Sequence, residues 1–436
     1  MKYNTLVIIA VAFSFSVAVA CDSSTSGHLD AMDIGAPAGD GGIDSPVTRP
    51  HPLYPALDLD QLPGLGGGSI GPYQVPVLPT TTRQVTVSGT GQQAVTNLLA
   101  ACQTPGTSVS VPDSVGRLGT VDLGNVLDCD IELAANVVIA MIYVGHLPGP
   151  TIAPVQRVRV RGGQIGLIMV DPGSTDIVFD GVIVNNAVVP PAQRSGTGII
   201  FNGSSSAPPI ARFAFVNSIL RMVATLPDGG GNTSGAGFIG GGAHHVLFAN
   251  NNIVTAGNFG SYAFRISGGH NYLIVDNTAR VSMHKLVRMN DELVDYVLVK
   301  GGLWLREATL TANGMELNDS FQQLNDEGTD HIYIHDPEVY LLSTVTVGFG
   351  AWPNGVNQVG RSWEARRISW HARNANVISD AILNTYASFC VVGAVCDYGA
   401  GTHNYSYDPN LSFPPAPWRT LPAIVDSNPD NLPVTP

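Results

Sequence analysis

Eight short apolar runs in this chain end in the same way. "VRVRGG", "IVFDG", "FAFVNS", "VLFANN", "LIVDNT", "VLVKGG", "IYIHDP" and "ISWHAR" align on Arg161, Asp180, Val216, Ala249, Asp276, Lys300, His335 and His371. The residue before each is apolar: Val160, Phe179, Phe215, Phe248, Val275, Val299, Ile334 and Trp370. The residue after is Gly162, Gly181, Asn217, Asn250, Asn277, Gly301 or Asp336, with Ala372 the exception. A second apolar run usually follows, as at Val182, Ile219, Ile253, Leu303 and Val339. Strand, short bend, strand therefore recurs at intervals of 19, 36, 33, 27, 24, 35 and 36 residues. Such a unit buries its apolar face only against neighbouring copies, which is the signature of a solenoid.

The bend residue has to tolerate a left-handed backbone, which Gly and Asn do at least cost. Asparagine is otherwise depleted in strands, so the three in "FANNNIVTAG" (248–257) read as a bend. Stacked bends would place Asn217, Asn250 and Asn277 above one another as an amide ladder. The composition agrees: 13% of the 436 residues are charged, against 49 Gly and 30 Pro, which suits a turn-rich β protein. A net charge of −13 argues against nucleic acid as a partner.

The pattern over residues 81–385 resembles the right-handed parallel β-helix superfamily, the pectate-lyase-like fold. The resemblance implies an all-β right-handed parallel β-helix. It leaves activity open, because that superfamily spans lyases, glycoside hydrolases, epimerases, tailspikes and non-enzymatic surface proteins. "TGQQAVTNLLAAC" (90–102) is the one clear amphipathic helix. Ala94, Val95, Leu98, Leu99 and Cys102 share a face, and Thr90 with Gln93 reads as a capping box. It fits the N-terminal cap that such solenoids need.

The beginning, "MKYNTLVIIAVAFSFSVAVAC", reads as an export signal over 1–20. "AVAC" resembles a bacterial lipobox with Cys21 as the lipidated residue; plain cleavage near Ala20 is the alternative. Residues 21–80 read as a lipid-anchored disordered tether, with seven Asp and one Arg from Asp22 to Asp60 and no apolar periodicity. An exported chain meets an oxidising compartment, and sequence order suggests Cys102–Cys129 and Cys390–Cys396 as disulfides, with two other pairings open. Residues 386–436 read as the second disulfide loop and a tail lying along the solenoid or capping it. The expected protein is thus a single-copy cell-envelope lipoprotein whose only membrane contact is its anchor.

A second set of strands carries the candidate chemistry. In "SYAFRISGG" (261–269), "HKLVRMND" (284–291) and "NGMELNDS" (313–320), Arg265, Arg288 and Glu316 are each flanked by apolar residues that point inward. Arg265 and Arg288 are one coil apart, and the same outward column holds Ile200 and Ile239 upstream. Stacked arginines repel unless an anion lies between or beside them. Glu316 is the expected partner of Arg288, and the planar guanidinium suits the carboxylates or sulfates of an acidic polysaccharide. The spacing resembles the chondroitinase B and alginate lyase branch, which implies a lysine base and an arginine on successive coils beside calcium. Here Arg265 stands where the lysine would be, and arginine is a poor base, so the expectation is binding, with cleavage by β-elimination open. His284 and Lys285 complete the candidate substrate set. No Asp/Glu cluster convincing for calcium is found, and no cofactor is expected. The alternative is a structural or adhesive solenoid in which these residues are a salt-bridged surface. Weaker candidates are His331 with His335 on "HIYIH" as a metal pair, the acidic stretch around "NDEGTD" (325–330), and the arginines of "RSWEARR" (361–367).

Overall fold

The computed structural model describes residues 73–145, 154–189, 196–203, 207–223, 236–256, 261–281, 284–289, 294–306, 320–325, 330–342, 347–352, 363–374, 379–381 and 396–414. The chain divides at Ser45/Pro46, and all described residues belong to the second unit. The export signal, Cys21 and most of the tether lie outside them, as do Cys390 and Glu316.

The fold is an all-β parallel β-helix with one complete α-helix among the described residues, Gly91–Cys102. Each coil contributes a strand to as many as three parallel sheets. Sheet A runs from Arg83–Thr86 through Thr107–Val111, the first parts of Leu127–Val144 and Gln156–Ile165, then Thr175–Asp180, Ile210–Val216, Ala243–Ala249, Gly269–Val275, Val294–Lys300 and Asp330–His335 to Trp363–Arg366 and Cys396–Asp397. Sheet B includes Ile219–Val223, Asn252–Ala256, Thr278–Val281, Leu303–Arg306, Glu338–Leu341, Ser369–Ala372 and Asn404–Tyr407. Sheet C includes Ile168–Val170, Thr197–Phe201, Ala236–Gly240, Ser261–Ile266, His284–Met289, Ser320–Asn325 and Val347–Trp352. Pairing therefore continues past residue 385. Two short strands of the expected tail add a further coil, because Tyr405 and Tyr407 supply the alternation that a strand needs.

The alternation read from the sequence is what fills the tube. Val158 and Val160, Phe213 and Phe215, Val246 and Phe248, and Val297 and Val299 are all buried. Aromatic rings stack from coil to coil inside it, Phe213 to Phe248 at 6.0 Å, Phe248 to Phe264 at 5.0 Å and Phe264 to Trp304 at 6.1 Å. Ala94, Val95, Leu98 and Cys102 of the helix belong to the same core, and Cys102 is bonded to Cys129. Thr90 is the helix N-cap, but its side chain makes no capping hydrogen bond, so the expected capping box is not formed.

The bend between sheets A and B has two residues per coil and two ladders. The outer residue is left-handed: Gly181, Asn217, Asn250, Asp276, Gly301, Asp336 and Arg367, with φ between 48° and 66°. On it Asn250 Nδ2 donates to Asn217 Oδ1 at 2.8 Å. The inner residue is buried at Ser218, Asn251 and Asn277, and half-buried and left-handed at Gly302, with φ 82°. Asn251 Nδ2 donates to Asn277 Oδ1 (2.9 Å) and to the Phe215 carbonyl (2.8 Å), and Asn251 Oδ1 accepts from the Ser218 N–H (2.9 Å). Gly302 ends this inner column because a Cβ there would collide with the Asn277 carbonyl. Asn277 thus stacks on Asn251, one column inward from Asn250. The one-residue offset arises because Val275, not Asp276, is in register with Ala249.

A similar correction applies to the last repeat. His371 sits in sheet B, and the residue in register with His335 is Arg366. "RSWEARR" therefore contains a sheet A strand, and its Arg367 is the bend residue, ion-paired to Asp336 at 2.6 Å.

Because Asn251 satisfies three buried backbone or side-chain groups, Asn251→Ala should cost about 1–3 kcal/mol. It should lower the denaturant midpoint with the slope unchanged. A midpoint equal to that of the parent would show that the inner ladder adds nothing net.

Candidate functional site

Where side chains are described, the strands of sheet C turn alternate residues outward, and register fixes which positions share a column. Asp122, Tyr143, Met169, Ile200, Ile239, Arg265, Arg288, Gln323 and Gly350 are consecutive partners. Phe264, Ile266, Val287 and Met289 are buried on the other side. Arg265 and Arg288 therefore stand on adjacent strands, separated by one coil spacing of roughly 4.8 Å. The residue after Arg288 in this column is Gln323, not Glu316. The coil includes a longer insertion than its apolar spacing suggests, and the strand begins at Ser320. Arg288 consequently has no carboxylate partner among the described residues. Its Nη1 donates to the Tyr262 hydroxyl at 2.9 Å, and its guanidinium lies 5.7 Å from the centre of that ring. Its Nε is withdrawn from solvent with no hydrogen-bond partner. His284 and Lys285 are in the same strand as Arg288, and Lys285 is in register with Tyr262; their side chains lie outside the described residues.

Six arginines on sheet A and its bends contrast with Arg288. Arg157 binds Asp128 through two contacts of 2.6 and 2.7 Å, and Arg212 binds Asp176 at 2.6 and 2.8 Å. Arg159 and Arg161 share Asp130, Arg366 meets Asp397, and Arg367 meets Asp336. The Arg157 guanidinium holds the Asp128 carboxyl below the usual carboxylate range, and Arg367 does the same for Asp336. These are internal ion pairs that stitch neighbouring coils.

The histidines of "HIYIH" are also engaged singly. His331 stacks on Tyr296, with ring centres 4.3 Å apart, and its Nδ1 is 2.9 Å from Asp295 Oδ1. His335 Nε2 is 2.8 Å from Glu364 Oε1. No group of three His, Cys, Asp or Glu among the described residues is arranged to hold a metal ion. In the acidic stretch, Glu338 faces His371 at 3.3 Å and accepts from the Tyr340 hydroxyl. Cys396 starts a short strand, with its side chain outside the described residues.

Sequence reasoning missed two features. Arg306 occupies an inward column between Val281 and Leu341 and is fully buried; its register with those residues was the available signal. The second is a left-handed column along sheet A: Asp128, Arg157, Asp176, Arg212, His245, Asn271, Tyr296 and His331, with φ from 49° to 60°. Bulky residues are uncommon in this conformation, so propensity gave no sign of it. Searches of family models, of curated proteins and of solved structures find no match to this chain.

Asp128 and Asp336 are ionised in the folded chain at pH values where the unfolded chain, with a carboxyl near ~3.9, begins to take up protons. The stability that they contribute is therefore complete above about pH 5 and lost as pH falls below about 4. Denaturant midpoints should fall across that window, and Arg157→Gln should flatten part of the fall. Midpoints that stay level down to about pH 3 would count against these pairs as stabilising contacts.

Proposed function

We propose that this chain is an exported, Cys21-anchored β-helix lipoprotein of the pectate-lyase-like kind. Its sheet C face binds an acidic polysaccharide through Arg265 and Arg288. The observation that carries this reading is the setting of Arg288. Six arginines on sheet A and its bends are matched to carboxylates, whereas Arg288 is oriented by a tyrosine and keeps its charge for an incoming anion. An arginine held by an aromatic ring and a hydroxyl is pre-organised for planar, bidentate contact with a carboxylate or sulfate. The neighbouring Met169, Ile200 and Ile239 offer an apolar strip on the same column, against which the less polar faces of sugar rings can lie.

Binding is favoured over cleavage on chemical grounds. β-Elimination needs a base to take the proton beside the carboxylate, and a guanidinium is chemically a poor base. His284 and Lys285, on the strand of Arg288, are the nearest sequence candidates for such a base.

The reading is tested by incubating the domain from residue 73 onward with alginate, pectate, chondroitin and heparin-like polymers, with and without calcium. Retardation in polymer-containing gels and ultraviolet absorbance from unsaturated product would be followed together. Retardation by at least one polymer, weakened by added salt, is expected. Arg288→Ala should weaken it about ten- to hundredfold, the value of a hydrogen bond to a charged group, and Arg288→Lys should recover only part. An absorbance rise abolished by Arg288→Ala would make the protein a lyase. No retardation and no rise with any polymer would leave a structural surface solenoid.

A further inference from the structure

Residues 73–80, expected to belong to the tether, lie along the outside of sheet A. Three of their backbone N–H groups, three residues apart, reach acceptors on the left-handed column. Thr80 reaches the Asp128 carboxylate, Val77 donates to Asp176 Oδ1 at 2.8 Å, and Gln74 donates to His245 Nδ1 at 3.0 Å. These acceptors stand on alternate coils. Two coil spacings of ~4.8 Å make roughly 9.6 Å, close to the ~9.3–10 Å that three residues of extended chain span. The coils skipped carry Arg157 and Arg212, which accept nothing. Pro76 and Pro79 fall between the donors, where no N–H is needed. Tyr73 lies edge-on to His245 at 5.9 Å, and Tyr73 and Leu78 pack on an outward apolar cluster that includes Leu247, Leu273 and Leu298.

Two of the three acceptors are carboxylates. The third, an imidazole nitrogen, accepts only while unprotonated. We propose that His245 is an acid-sensitive latch that holds the Tyr73–Thr80 strap on sheet A at neutral pH and releases its Tyr73–Gln74 end on protonation.

Everything packed around His245 disfavours the imidazolium. Asn271 Nδ2 lies 3.2 Å from the same Nδ1 that Gln74 uses, so a proton there would face two donors. Arg212 is in the same column on the preceding coil. His244 is on the same strand with ring centres 5.0 Å apart, and His270 is on the next at 5.8 Å. The carboxylates on these columns are engaged, Asp176 by Arg212 and Asp295 by His331. Burial first, then His244, His270 and Arg212, push the His245 imidazole down to about 3, and burial with His244 takes His270 to about 4. His244, His270 and Arg212 stay on sheet A when the strap leaves, so only the burial that the strap adds separates the docked from the undocked imidazole, and the strap is held fully above the undocked value, which lies below the ordinary ~6.5. It then loses grip by up to about tenfold per pH unit below the undocked value, until the docked value is reached. Release uncovers Tyr73 and the apolar residues beneath it.

Hydrogen exchange of the full chain tests the latch. Protection of the Gln74 amide, corrected for the intrinsic pH dependence of exchange, should fall between about pH 6.5 and about pH 4, by at most about tenfold per pH unit, while the Val77 amide, held by Asp176, keeps more of its protection. The Val246, Leu247 and Phe248 amides of the strand beneath should stay protected. His245→Asn keeps an acceptor, suits a left-handed site as Asn271 does, and should abolish the fall. Equal strap protection at both pH values, loss in step with Val246–Phe248, or an unchanged fall in His245→Asn would each overturn the proposal. The comparison within the parent chain decides between the first two on its own.

Discussion

The structure rests on one constraint: parallel strands in register force every coil to follow the same backbone path at the same column. A conformation adopted once is therefore imposed on the next coil through the ladder of N–H to C=O hydrogen bonds. This explains why Arg157, Arg212 and Tyr296 adopt the left-handed conformation, which costs about 1–2 kcal/mol for ordinary residues. The neighbouring Asp128, Asp176 and Asn271 bear it more cheaply, and the ion pairs Arg157–Asp128 and Arg212–Asp176 offset part of the cost. The same constraint turns single side chains into ladders. Asn217 with Asn250 and Asn251 with Asn277 are amide stacks only because the coils beneath them match.

Register also decides what each face can do. The interior accepts alternate apolar side chains and holds the aromatic stack. Sheet A's outer face pairs its charges internally and carries the strap. Sheet C places Arg265 above Arg288 and gives Arg288 a tyrosine where the sheet A arginines have carboxylates. The strap and the arginine pair lie on different sheets, so the acid release proposed for one and the anion binding proposed for the other are separable.

Much of this was legible in the residues. The strand alternation around Arg265 and Arg288, with Phe264, Ile266, Val287 and Met289 buried, followed from period-two patterning alone, and so did Ile200 and Ile239 upstream. The helix and its Cys102 staple were equally visible. What was hidden involved choices that local pattern cannot make. "LIVDNT" allows either Val275 or Asp276 to end the strand, and only the coil below selects Val275. "MELN" alternates more cleanly than "FQQL", so local pattern favoured Glu316 over Gln323 for the place beside Arg288. His371 and Arg366 both follow an apolar residue, and sheet B took the first. The strap was obscured by its prolines, which break every periodicity while suiting a chain that needs an N–H only at every third residue.

The column that runs from Asp122 to Arg288 in six coil steps positions the sheet C face. Spin labels placed at those two positions measure it directly. Six spacings of ~4.8 Å predict a narrow backbone-to-backbone separation near ~29 Å, widened only by the label tethers. A broad distribution, or a separation differing by more than about one coil spacing, would mean that the arginines do not share the column and that no common face exists for a ligand to bind.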